Sequence, residues 1–152
     1  IWPRIFDIDN AIKLFWKNKD ISILEIWCFS WREYSYIRNF TKNYTGIDIS
    51  KDAIRYAKNQ FSDWEFIIWD IEDYNFEKKY DIIFAFASLI HSDRETTQRL
   101  FEKFHSILTP KWIIYVSLKA SEKYSEIEKI DEFWTRIYYH YNMNQYKKNI
   151  FY

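Results

Sequence analysis

Apolar and polar positions change period along the chain, and each period predicts an element. Residues 7–18 (DIDNAIKLFWKN) are apolar at Ile8, Ile12, Phe15 and Trp16, the spacing of a helix face. Residues 21–26 form a short apolar run and predict a first strand. Residues 32–41 predict a helix and 44–49 (YTGIDI) a second strand. Ser50 then caps a helix running to Asn59, with Asp52 in its first turn. Residues 65–69 (EFIIW) predict a third strand ending at Asp70. Residues 80–87 (YDIIFAFA) predict a fourth, near-continuously apolar as a strand buried on both faces should be. The clearest helix is 93–108, with Leu100, Phe101, Phe104, Ile107 and Leu108 on one face. Pro110 stops it, and 112–118 (WIIYVSL) predict a fifth strand. Past Lys119, residues 122–130 predict a helix, 135–141 a strand, and the tail the start of another helix.

Alternating strands and helices point to an α/β fold: a mostly parallel sheet of about five to seven strands with helices on both faces. Right-handed crossovers make it doubly wound. A chain of 152 residues fits one domain, 1–152, with its core over about 20–120 and a weaker segment at 121–152. No repeat, low-complexity tract or Gly/Ser linker interrupts it. The chain opens on Ile1 and closes on Phe151 and Tyr152, as a fragment of a longer protein would.

Charge narrows the classes of partner. The chain carries 22 basic and 22 acidic residues in short mixed clusters. No basic face stands out, which argues against nucleic acid or an anionic membrane as the main partner. No apolar run approaches the ~20 residues of a membrane span, and no signal-peptide pattern is present. Cys28 is the only cysteine, which suits a reducing, cytoplasmic compartment; as a residue type it reads as a small apolar filler. No Cys, His and Asp spacing suits a metal, so none is expected.

Ligands of open parallel sheets bind at the carboxyl ends of the strands, and four such ends carry suggestive residues. After the first strand comes Glu25-Ile26-Trp27-Cys28-Phe29-Ser30-Trp31. A strand-to-helix turn whose amides face a ligand wants glycine, for positive φ and close approach. After the second strand, Asp48-Ile49 offers an acid able to accept both hydroxyls of a ribose; it also reads as a helix cap or solvated loop acid. After the third, Asp70 could accept an adenine amino group, with the backbone of Ile71 completing the base's edge. Its neighbours Glu72 and Asp73 equally make it a wet loop acid. After the fourth lies Ala87-Ser88-Leu89-Ile90-His91. There His91 reads either as a general base or as a pocket-wall histidine. Glu25 reads as an in-strand acid bonding the backbone or a ligand amino group, and Ser30 as a ligand donor or a turn residue.

In this order the residues resemble the class I S-adenosylmethionine-dependent methyltransferases, over roughly residues 20–120. The family's first motif looks like residues 25–31, its ribose acid like Asp48, its adenine-site acid like Asp70, and its fourth strand like residues 81–87. Its Leu-x-Pro-Gly-Gly turn looks like Leu108-Thr109-Pro110-Lys111-Trp112. Residues 131–135 (DEFWT) are a weaker match. The departures are Trp27, Phe29, Trp31, Lys111 and Trp112, several at family glycine positions. The resemblance implies a Rossmann-like fold and S-adenosylmethionine as cofactor, held by Glu25, Trp27, Cys28, Ser30, Trp31, Asp48, Ile49, Asp70, Ile71 and Ala87. It implies in-line methyl transfer to a small-molecule acceptor, with His91 as the candidate base. No Asn-Pro-Pro-Tyr-like run follows the fourth strand, which disfavours a nucleobase amino group as acceptor. The alternative is a non-catalytic relative whose site is blocked by Trp27 and Trp31, serving as a scaffold or interaction module.

One Gly and eight Trp are abnormal numbers; an ordinary composition predicts roughly ten Gly. Each Trp stands where Gly would be unremarkable. The codon UGA means Trp in some genetic codes and Gly in others, and a frame read with the wrong table would swap them. The competing explanation is a core packed with genuine tryptophans.

Overall fold

The computed structural model describes residues 4–15, 20–29, 32–62, 64–130, 135–142 and 144. The chain divides into two compact units, Ile1–Ala85 with Ile107–Tyr115, and Phe86–Ser106 with Val116–Tyr152.

A five-stranded sheet of order β3-β2-β1-β4-β5 dominates the first unit. Its strands are β1 Ser22–Ile26, β2 Asn43–Asp48, β3 Glu65–Ile68, β4 Tyr80–Phe86 and β5 Leu108–Ser117. β1 pairs in parallel with both β2 and β4, and β2 with β3. Every residue of β1 and β4 is buried, as their unbroken apolar runs require. Ile23, Leu24, Ile82, Ile83 and Phe84 are wholly inaccessible, each contributing roughly 1.5–3 kcal/mol of burial. Helix α1 (Ile5–Leu14) buries Ile8 and Ala11, and α3 (Lys51–Gln60) buries Ala53, Ile54 and Ala57. The Ser50 side chain accepts from the Ala53 N–H, capping α3 as the sequence predicts. Asp81, 2 % exposed, ties strands together by accepting from the Ser22 N–H at 3.0 Å and the Thr109 hydroxyl at 2.7 Å.

Gly46 lies in β2 without a left-handed backbone; closeness is what it supplies. A Cβ there would stand 2.9 Å from Cys28 Sγ, 2.9 Å from Phe66 Cδ1 and 3.0 Å from the Tyr44 hydroxyl.

The second unit holds a 3-10 turn (Leu89–His91), helix α4 (Arg94–Ser106) and a three-stranded sheet of order β6-β8-β7. Its strands are β6 Lys119–Ala120, β7 Ser125–Ile130 and β8 Thr135–Tyr141. The Tyr141 hydroxyl donates to the Ser92 carbonyl at 2.6 Å and lies 3.0 Å from the Thr97 hydroxyl.

Three local expectations change. The helix predicted over 122–130 is strand β7: Ile127 and Ile130 are spaced like a helix face, but antiparallel pairing with β8 determines the conformation. The helix predicted over 32–41 shrinks to α2 (Tyr34–Ile37). Its hydrogen bonds then tighten to three-residue turns, Asn39 N–H to Tyr36 and Phe40 N–H to Ile37. The fifth strand starts at Leu108 rather than 112 and contains Pro110. β5 ends the sheet order, and an edge strand tolerates a residue lacking an N–H. The tail helix and residues 131–134 lie outside the described residues.

Candidate functional site

The turn after β1 is left-handed twice. Trp27 has φ 51° and Phe29 φ 47°, a region that costs a side-chain-bearing residue roughly 1–2 kcal/mol and that glycine enters freely. Between them Cys28 is buried, and its N–H donates to the Ile47 carbonyl at 3.2 Å, carrying the turn against the end of β2. Ser30 and Trp31 lie outside the described residues.

Asp48 closes that turn. One carboxylate oxygen accepts the Phe29 N–H at 2.8 Å and the other the Ser50 N–H at 2.8 Å, while its carbonyl accepts the Trp69 N–H at 3.1 Å. One residue, 6 % exposed, thus links the ends of β1 and β2 through its side chain and the end of β3 through its carbonyl. Each carboxylate oxygen has two lone pairs, so one on each remains for a pair of ligand hydroxyls. Around it stand large apolar side chains left open to solvent: Phe29 66 %, Ile49 63 % and Trp69 54 % exposed. Such groups gathered at strand ends suit the faces of a planar aromatic ligand.

Asp70 is half-buried and accepts the Glu72 N–H at 3.0 Å, shaping the loop after β3; Ile71 behind it is fully buried. Glu25 lies beneath the turn, 2 % exposed, and accepts from the Tyr44 hydroxyl at 2.7 Å. Burial, reinforced by the neighbouring Glu33 carboxylate, pushes its carboxyl up to about 8. Glu33 is itself buried and paired with Arg32 at 2.6 Å. Burial drives the Cys28 thiol and the Tyr44 phenol upward too. Tyr44 and Glu33 were not singled out from the sequence; strand register, which places Tyr44 two residues before the Gly46 that opposes Glu25, is the signal that finds Tyr44.

Ala87 and His91 belong to the second unit. Ala87, following β4, is also left-handed at φ 52°, and its N–H donates to the Ser117 hydroxyl at 2.7 Å. His91 is exposed, with Nδ1 2.9 Å from the Ile137 carbonyl. A carbonyl only accepts, so Nδ1 carries the proton and Nε2 of the neutral ring bears the lone pair. Among the described residues, no three His, Cys, Asp or Glu side chains group so as to hold a metal ion, and no helix is long and apolar enough to cross a membrane.

Of the eight tryptophans, Trp27, Trp64, Trp69 and Trp112 are described, and none is in the buried core. Trp64 nonetheless packs against the buried Tyr34 and Tyr44 rings at 5.1 and 6.3 Å, while Trp69 and Trp112 are exposed.

Residues 26–111, more than half of the chain, match the methyltransferase domain family. Malonyl-acyl-carrier-protein O-methyltransferase 2 of Ilyobacter polytropus is 33 % identical over 115 residues, 71 % of this chain and 43 % of that protein. Its methyltransferase 1 is 35 % identical over 86 residues, 55 % of this chain and 31 % of that one. The chain thus spans less than half the length of these curated relatives. Among solved structures, an S-adenosylmethionine-dependent methyltransferase from Clostridium acetobutylicum superposes with a TM-score of 0.78 at 14 % identity, covering 95 % of this chain and 76 % of that one. The plantazolicin methyltransferase BpumL, in complex with a pentazolic desmethylPZN analog and SAH, superposes at 0.64 with 26 % identity, covering 74 % and 45 %.

Proposed function

The chain belongs to the methyltransferase domain family, and from that premise we propose that it binds S-adenosylmethionine and directs methyl transfer to a small-molecule acceptor. The observation carrying this is the left-handed turn after β1 pinned to the Asp48 carboxylate, with open apolar side chains around it. The cofactor would supply an electrophilic methyl on a sulfonium, which leaves as a neutral thioether when an acceptor lone pair attacks in line.

The chain's own work is then alignment and exclusion of water. Asp48 would accept the two ribose hydroxyls on its remaining lone pairs. Ile49 and Trp69 would offer apolar contact to the adenine, and Asp70 with the Ile71 backbone would take its polar edge. Trp27 and Cys28 would present backbone to the rest of the cofactor, with Glu25 supporting the turn from below; Ser30, Trp31 and Ala87 are assigned to it from the sequence motif alone. His91 Nε2 is the group able to take the acceptor's proton. The lone, buried Cys28 supports a reducing, cytoplasmic setting, and the whole chain 1–152 is assigned to one methyltransferase-like domain.

Calorimetric titration with S-adenosylhomocysteine tests this on the chain as written and on a Trp27→Gly/Trp31→Gly variant. Micromolar binding by the variant is expected, with weaker or no binding by the parent. No binding by either refutes the assignment and favours a scaffold.

A further inference from the structure

Charge in the three-stranded sheet is sorted by face. β7 and β8 oppose Ser125 to His140, Ile127 to Tyr138 and Lys129 to Arg136, while Lys119 of β6 pairs with His140. Directly opposed residues share a face, so Lys119, Lys129, Arg136 and His140 lie on one face, and among the described residues of the three strands no acid shares it. Glu126 and Glu128, opposed to Tyr139 and Ile137, lie on the other side.

Two of these cations flank one ring. Lys119 Nζ stands 3.8 Å and Lys129 Nζ 5.6 Å from the Tyr138 ring centroid, inside the roughly 6 Å range over which a ring attracts a cation. The His91 ring packs 4.7 Å from the same ring, held by its bond to the Ile137 carbonyl. Lys129, Arg136 and His91 are exposed, Lys119 and His140 half-buried. Two ammonium groups on one ring repel each other until an anion joins them.

We propose that this face binds a phosphate monoester. A dianion suits a face that carries two ammonium groups and the Arg136 guanidinium. His91, packed against the Tyr138 ring, borders this face.

Phenyl phosphate is the probe, titrated by NMR on the imidazole signals of His91 and His140. Benzoate and a short single-stranded oligonucleotide serve as the other arms. Phenyl phosphate is expected to shift both histidines, and Lys119→Gln/Lys129→Gln to weaken it by roughly tenfold or more, since two charge-assisted contacts are lost. The surface control Lys58→Gln should leave it unchanged, and thermal melting confirms that each variant folds. Equal or tighter binding of benzoate would make the ligand a carboxylate, and far tighter, salt-sensitive binding of the oligonucleotide would make it a nucleic acid; either overturns the proposal. So does binding that ignores the double variant. S-adenosylhomocysteine binding, measured in the Trp27→Gly/Trp31→Gly background, separates the two ideas: its absence there refutes methyl transfer and leaves the anion face standing.

Discussion

Replacing Trp27 with either glycine or alanine isolates the backbone from the side chain, because both variants delete the indole. They differ in what φ 51° costs them. In an ordinary conformation alanine is better than glycine by roughly 0.5–1 kcal/mol, since glycine loses more freedom on folding. In the left-handed region a Cβ costs roughly 1–2 kcal/mol, which reverses the order. Trp27→Gly should therefore be more stable than Trp27→Ala by about 0.5–1 kcal/mol, a difference of roughly 2–4 °C per kcal/mol in a domain of this size. Trp69 is the control: it has no positive φ, so Trp69→Ala should be the more stable of its pair. Phe29 extends the test, because its φ is 47° and its side chain is mostly exposed. With little packing to lose, Phe29→Gly should be more stable than the parent by about 0.5–1 kcal/mol. Urea denaturation with a constant m-value measures all of these. If Trp27→Ala equals or exceeds Trp27→Gly, the turn does not demand glycine, and the family's motif has been laid on the wrong backbone.

Three other perturbations follow from the geometry. Gly46→Ala should destabilise by about 1–3 kcal/mol through overpacking against Cys28, Phe66 and Tyr44; an unchanged urea midpoint would show that β2 has room. Asp48→Asn puts an amide donor where two backbone N–H groups donate. A loss of about 1–3 kcal/mol in stability is expected, and, in the Trp27→Gly/Trp31→Gly background, a loss of S-adenosylhomocysteine binding; retention of both would remove Asp48 from the site. Glu25, raised from 4.5 to about 8 by burial, holds a proton when folded that the unfolded chain has released. Its contribution is thus fully present below about 4.5 and lost as pH rises through about 8. Denaturation across that window should show stability falling by on the order of a few kcal/mol, with Glu25→Gln flattening the slope; a parent curve already flat contradicts the burial argument.

The central strands were legible because a strand buried on both faces writes itself as an apolar run, as 80–86 does. The α3 cap was legible because Ser50 acts over three residues. β7 was not: most of it is exposed, so burial imposes no alternation, and its residues follow their partners in β8 rather than a core. The same limit hid the basic face, which exists only through the register that puts Lys129 opposite Arg136. The turn after β1 is the instructive middle case. Its sequence has aromatics where the motif has glycine, yet its backbone is left-handed at both Trp27 and Phe29.

Among the described residues the left-handed ones are Trp27, Phe29 and Ala87, and none is a glycine. All three follow β1 or β4, the two strands that pair with each other at the middle of the order β3-β2-β1-β4-β5. Chain order reverses direction across the sheet at that pair, and crevices that take ligands form at the carboxyl ends of such a reversal. Random strain would fall at exposed loop tips as readily as there. Strain confined to these ends, at roughly 1–3 kcal/mol per residue, implies that the rest of the fold holds the backbone in this shape against its own side chains. Packing alone does not account for that at Phe29 and Ala87, which are exposed and gain little burial from the conformation they adopt.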